Sequence, residues 1–193
     1  MRLSWVLALM AALLFGCGAR APTRGTEAEI AALAAALQQM SPDIAAAEAA
    51  EAARLSFQST YDLALAYQIT DPPLVHNAKV NAGRKPRGLC YHWAEDMQAR
   101  LEAAGFATLG TARANADNPI LIDHSTTVIV PRGAPMETGV VVDPWRYGGR
   151  LFWAPVVKDS RYDWRPREDV LRRHGRIRYM QRPEGSRAPP PVE

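Results

Sequence analysis

Cysteine is scarce in this chain, and neither long apolar runs nor a large excess of one charge is present. Only Cys17 and Cys90 occur among 193 residues, which excludes a disulfide-stapled fold and a cysteine-only zinc site. The net charge of +3 is too small for the basic face of a nucleic-acid-binding protein, so no nucleic-acid partner is expected. The apolar stretch at residues 3–14 is too short to cross a bilayer as a helix.

The N-terminus has the features of an export signal. A short positive segment precedes the apolar stretch, so residues 1–16 are interpreted as a signal peptide. The stretch ends Leu14-Phe15-Gly16-Cys17, which resembles the lipobox of bacterial lipoproteins. That resemblance implies lipidation of Cys17, a lipidated tether over 17–25 and a membrane partner through the lipid anchor. The alternative is an ordinary signal peptide, which leaves Cys17 as a thiol or as a partner for Cys90.

These features place the protein in the bacterial cell envelope, lipid-anchored and facing the periplasm. Gly18 follows the acylated position, whereas an aspartate there is associated with inner-membrane retention in some bacteria. The outer membrane is therefore slightly favoured.

Residues 26–70 carry the pattern of a helical hairpin. Thr26 with Glu29 three residues later is typical of a capping box. Ser41-Pro42-Asp43 predicts a second start with proline at the first helical position, and Asp71-Pro72-Pro73 predicts its stop. A packing hairpin or spacer is favoured over an arm that recognises a partner.

The remaining chain predicts an α+β domain over 71–181. Residues 71–89 are interpreted as irregular, a helix is predicted over 88–104, and strands are predicted at 106–113, 120–130 and 139–143. A short last helix is expected over 165–174. The proline-rich segment 182–193 is typical of a disordered tail.

Cys90 opens the predicted helix and heads its apolar face. The face comprises Cys90, Ala94, Met97, Leu101 and Ala104. A thiol at a helix N-terminus is favoured as thiolate by the helix dipole, and basic residues just upstream add positive potential. The alternative is a buried structural cysteine.

Among four histidines, His124 is the favoured base for a nucleophilic Cys90. His92 lies about 200° round the helix from Cys90 and is predicted to point away from it. His174 is interpreted as a surface residue near a helix end, and His76 stays open but has no evident orienting partner. His124 shares a strand side with apolar residues, and a histidine in such surroundings needs a polar partner.

Strand register supplies that partner. If strands 120–130 and 139–145 pair symmetrically about the intervening loop, Thr126 lies opposite Asp143 and His124 opposite Trp145. His124 and Asp143 are then diagonal neighbours on one face, about 7–8 Å apart at Cα and within reach of an imidazole–carboxylate hydrogen bond. The alternative for Asp143 is a strand-ending turn with Pro144.

No metal or cofactor is expected. A zinc site from Cys90, His92, His124 and Asp143 would require His92 to turn to the Cys90 side of its helix, so it is not favoured. Neither a calcium-ligand loop nor a phosphate-binding loop is visible in the sequence.

These residues resemble a known family. Gly88-Leu89-Cys90 at a helix start, His124 on a following strand and Asp143-Pro144-Trp145 on the next look like the transglutaminase-like core of the papain-like superfamily, a cysteine-bearing helix packed on an antiparallel sheet. The resemblance covers about residues 85–147. It implies Cys90 as nucleophile, His124 as general base and Asp143 as the residue that orients the histidine.

The chain also departs from that superfamily. Arg84 stands six residues before Cys90, where papain-type enzymes have the glutamine of the oxyanion hole. The second oxyanion donor is therefore unassigned among Asn77, Asn81 and Tyr91.

The resulting functional hypothesis is acyl transfer on amide bonds through a thioester, of peptidase, amidase or transglutaminase type. The anchored location makes envelope proteins or peptidoglycan peptides plausible substrates. The alternative is a catalytically inactive binding or scaffolding lipoprotein on the same fold.

Overall fold

The fold is mixed α+β, as the sequence predicts. The computed structural model describes residues 21–117 and 124–175. Within these ranges the chain forms five α-helices and one antiparallel sheet of five strands. The helices are α1 (Glu27–Gln38), α2 (Ala46–Ala66), α3 (Pro73–Asn81), α4 (Cys90–Ala103) and α5 (Arg167–Arg173). The strands are β1 (Leu109–Ala116), β2 (Ser125–Pro131), β3 (Val140–Asp143), β4 (Phe152–Pro155) and β5 (Trp164–Pro166).

The sheet has the strand order β4-β3-β2-β1-β5, with β2 at its centre. The pairing of β2 with β3 places Thr127 opposite Val142 and Ile129 opposite Val140. This is the register expected from the sequence, and it is fixed because a one-residue slip would move every apolar side chain to the other face. Residues 120–123 of the predicted second strand lie outside the described residues.

Each face of the sheet carries its own hydrophobic core. On one face α1, α2 and α4 pack against side chains of β1, β2 and β3; the buried members include Leu37, Met97, Leu109, Ile129 and Val142. On the other face short segments cover the alternate side chains; the members include Ala114, Val128, Val141, Val156 and Trp164. The central strands therefore read as apolar on both sides.

The N-terminal hairpin belongs to the core of the molecule. Leu33 and Leu37 of α1 are fully buried in the same cluster as the sheet residues. The capping box of Thr26 and Glu29 is present at the start of α1. Glu48 of α2 accepts hydrogen bonds from the backbone N–H groups of Ala107 and Thr108, which ties the hairpin to the start of β1.

Two sequence predictions are corrected, and two strands are added. Helix α2 begins at Ala46 rather than at Pro42, since residues 41–45 form a turn. Residues 73–81 are helical rather than irregular, because Pro73 starts α3 at a position where its missing N–H costs nothing. Strands β4 and β5, of four and three residues, were not predicted.

No helix among the described residues is long and apolar enough to cross a membrane. Cys17, the signal segment 1–16 and the tail 182–193 lie outside those residues.

Candidate active site

Cys90 is the first residue of α4, and its thiol side is buried. The residue is 7% exposed, and Ala94, Met97 and Leu101 of the same face are buried with it. Ala104, the last residue of the predicted stripe, is exposed beyond the end of the helix. The positive end of the helix dipole therefore lies at Cys90.

The turn before Cys90 is held from several sides. The ring of His76 contacts the carbonyl oxygen of Arg87 through Nε2 at 2.8 Å, and Trp93 donates from Nε1 to the carbonyl of Gly88 at 3.1 Å. Gly88 has φ +122, and a Cβ there would lie 2.4 Å from His76 Nε2. Only glycine fits this backbone, so His76 supports the turn rather than serving Cys90 as a base.

His92 also supports this turn. Its Nδ1 accepts hydrogen bonds from the backbone N–H groups of Gly88 and Leu89, both at 3.3 Å. Burial, together with the charge of Arg87, lowers the pKa of His92 to about 4. A neutral ring is what these bonds require, because only an unprotonated Nδ1 can accept.

His124 and Asp143 meet in the interior of the protein. His124 Nε2 lies 2.7 Å from Asp143 Oδ2, and both side chains are at most 2% exposed. The register of β2 and β3 makes this contact, because it carries Asp143 diagonally across from the residue that precedes β2. The structure thus brings together two of the three predicted site residues by a direct hydrogen bond.

Cys90 reaches the same imidazole. Burial lowers the pKa of His124, but the charge and hydrogen bond of Asp143, together with those of Cys90, outweigh it and raise the pKa to about 9. Nδ1 is buried without a partner at ordinary hydrogen-bond geometry. Since Nε2 faces Asp143, Nδ1 is the nitrogen left to exchange a proton with the thiol.

Asp143 is held as a carboxylate. Its burial alone would raise its pKa, but His124 and then Arg146 lower it below its usual range. Arg146 donates from Nε to Asp143 Oδ2 at 2.9 Å and from its backbone N–H to Oδ1 at 3.1 Å. Both carboxylate oxygens are therefore engaged.

Three aromatic rings surround the imidazole of His124. Trp145, Tyr162 and Trp164 lie with ring centroids 4.6, 4.8 and 5.4 Å from it. Such rings exclude water from the imidazole. Trp145, Tyr162 and Trp164 together therefore shield the imidazole from water.

Asn77, one of the three residues considered for the second oxyanion donor, contacts this cluster. Trp145 donates from Nε1 to Asn77 Oδ1 at 3.1 Å. Because an indole N–H can only donate, this contact fixes which amide atom is the oxygen, and the NH₂ group faces elsewhere. Tyr91 is 44% exposed, with its ring tilted against that of His92, and Asn81 ends α3.

Sequence reasoning missed Arg146 and Asp159. Arg146 contacts Asp143 through a local turn, but its second partner, Asp159, lies thirteen residues further along the chain. His174, predicted at a helix end, lies 3.3 Å from Asp117 at the surface. Within residues 21–117 and 124–175, no group of three or more histidine, cysteine or acidic side chains is placed to hold a metal ion.

Comparison with family models, with curated proteins and with solved structures gives no match for this chain.

Proposed function

We propose that this protein is an acyl-transfer enzyme that acts on amide bonds through Cys90, His124 and Asp143. In this proposal the α+β fold is a transglutaminase-like core of the papain-like superfamily. The protein is held at the bacterial cell envelope by a lipid on Cys17. The proposal needs neither metal nor cofactor.

One observation carries the proposal. A buried imidazole is hydrogen-bonded at Nε2 to a carboxylate, and a thiol at a helix N-terminus helps to raise its pKa. A nucleophile, a base within its reach and a third group that orients the base are the requirements for nucleophilic catalysis. Packing alone would not raise the pKa of a buried histidine, because burial disfavours its charged form.

The first half of the reaction forms a thioester. The Cys90 thiolate attacks the amide carbonyl carbon, a C–S bond forms, and the oxygen takes up negative charge near the N-terminus of α4. As the intermediate collapses, the C–N bond breaks and His124 gives its Nδ1 proton to the leaving amine. Asp143 holds the ring in the required orientation throughout.

The second half releases the acyl group. Water or an amine attacks the thioester, His124 takes the proton of this nucleophile, and the thiolate leaves. Water as acceptor gives peptidase or amidase activity, and an amine gives cross-linking. Envelope proteins or peptidoglycan peptides are the substrates that the proposed location would supply.

Alkylation of Cys90 tests the proposal. With an imidazolium–thiolate pair, iodoacetamide should modify Cys90 at pH 6 at nearly the rate seen at pH 8. An ordinary thiol with a pKa of about 8.5 would instead react roughly a hundredfold more slowly at the lower pH. His124→Ala should restore that steep dependence, while His174→Ala, a surface histidine, should leave the flat profile unchanged.

A steep profile in the unmodified protein, unaffected by His124→Ala, would contradict the enzyme and would favour a binding or scaffolding lipoprotein. Alkylation is measured on the folded protein, since burial of Cys90 slows the reagent equally at both pH values.

A further inference from the structure

We propose that Arg146, held by Asp159, is a positioning residue of the site, which fixes the Asp143 carboxylate that orients His124. A role of Arg146 in catalysis rests on the proposed function. Its contacts with Asp143 do not depend on turnover, because they concern only how that carboxylate is held.

Arg146 bridges two buried carboxylates. Its Nε lies 2.9 Å from Asp143 Oδ2, and its terminal nitrogens lie 3.1 and 2.5 Å from the two oxygens of Asp159. The side chains of all three residues are at most 3% exposed. The planar fork of an arginine can make these contacts at once, whereas the single ammonium of a lysine cannot.

The guanidinium group is itself fixed in position. It lies over the ring of Phe152 at 3.7 Å and beside that of Tyr162 at 4.8 Å. Asp159 also accepts a hydrogen bond from Trp164 Nε1 at 2.9 Å. A rigid chain of contacts therefore runs from Trp164 through Asp159 and Arg146 to Asp143.

His124 and Arg146 share one oxygen of Asp143. Both Nε2 of the ring and Nε of the arginine contact Oδ2. The arginine consequently has two effects: it prevents the carboxylate from rotating away from the ring, and its charge tempers the attraction of Asp143 for the imidazolium. Two further titratable groups face the ring: Cys90 of α4, and Tyr162, whose ring is tilted against it with centroids 4.8 Å apart.

Arg146 and Asp159 together form a clamp on Asp143, and removal of either one should shift the pKa of His124 in the opposite direction to removal of the other. Arg146→Gln removes a positive charge beside Asp143, so the pKa of His124 should rise. Asp159→Asn leaves the charge of Arg146 without its second partner, so the pKa of His124 should fall. Each shift should be about one pH unit, as for charges placed close together in an interior.

Nuclear magnetic resonance of the imidazole nitrogens measures these shifts directly. The signal of His124 is assigned by its loss in His124→Gln. Arg100→Gln is the matched control, because Arg100 pairs with Asp62 on α2 at 3.6 Å, and α4 carries it about 15 Å along the axis from Cys90. Its His124 signal should titrate as in the unmodified protein.

Opposite shifts support the clamp, and equal shifts or none contradict it. Loosening of the interior alone would move both variants the same way, toward the ordinary pKa of about 6.5. If either single variant does not fold, the double variant Arg146→Gln/Asp159→Asn, which removes one charge of each sign, is measured instead. The pKa of His124 should then be higher than in the unmodified protein, because only Arg146 contacts Asp143 directly. No rise would overturn the proposal. Failure of the alkylation test with opposite shifts would leave the clamp standing and the enzyme rejected.

Discussion

At the scale of the residue, the defining feature of this protein is an interior histidine whose pKa is raised above its ordinary value. His124 is 1% exposed, yet Asp143 and Cys90 raise its pKa to about 9 despite the opposing effect of burial. Since a raised pKa means that the folded state binds a proton more tightly than the unfolded state, stability becomes linked to pH. The interaction contributes fully below about pH 6.5 and is lost as the pH rises through the folded pKa.

Urea unfolding of Cys90→Ser should reveal this linkage without titration of the thiol. Between pH 6.5 and 9.5 the free energy of unfolding should fall by about 2 kcal/mol more than in Cys90→Ser/His124→Gln. The pKa of His124 should itself be lower in the serine variant than in the unmodified protein, because one of its causes has been removed. Parallel pH profiles for the two variants would contradict a charged His124.

At the scale of the element, the hairpin of α1 and α2 is part of the main core. Leu37 of α1 is fully buried in a cluster that also contains residues of α4 and the central strands. Leu37→Ala should therefore lower the free energy of unfolding by about 2–5 kcal/mol through lost burial and the cavity that remains. Gln38→Ala, at an exposed neighbouring position, is the control and should change it by less than about 0.5 kcal/mol.

Thermal or urea unfolding monitored by circular dichroism checks this prediction with the two variants side by side. A single cooperative transition, shifted for Leu37→Ala, is expected. An unchanged transition would show that the hairpin is only a spacer in front of an independent domain.

Sequence patterns predicted those helices and strands that are determined by residues close together in the chain. The capping box at Thr26 and the register of β2 with β3 are confirmed, because each depends on residues close together in the chain. Helix α3 was not predicted, because Pro72-Pro73 was interpreted as the end of the preceding helix, whereas proline is also common at the start of a helix. Strands β4 and β5 are too short to show a period, and their pairing with β3 and β1 forms them.

The residues of the candidate site, too, could be predicted only where a local pattern relates them. His124 with Asp143 could be predicted because strand register relates them. The bridge from Arg146 to Asp159 could not, because no periodic pattern connects a turn after β3 to a loop before β5. Nor does the sequence show that His92 accepts hydrogen bonds, since helical phase indicates only that it faces away from Cys90.

At the scale of the whole molecule, the contacts that Arg24 and Gly25 make with α2 limit how far the folded part of the protein would stand from a membrane if Cys17 is acylated. Arg24 donates to Gln58 of α2 at 2.6 Å and lies over the ring of Tyr61 at 4.3 Å. Gly25 lies against Phe57, and a Cβ there would come within 2.3 Å of its ring. Six residues, 18–23, lie between Cys17 and Arg24, so an anchor at Cys17 would lie at most about 25 Å from Arg24.

Acylation of Cys17 would therefore hold the folded protein close to a membrane, and this can be tested. If Cys17 is acylated, labelled palmitate supplied to a bacterial host expressing the full chain should appear in the protein, and the protein should sediment with membranes. Cys17→Ser should lose both the label and the sedimentation, because stable attachment requires the acyl chains. Cys90→Ser, which removes the other cysteine, should keep both. Label that persists in Cys17→Ser would refute acylation at this residue, and an enzyme at Cys90 would then act without a lipid anchor there.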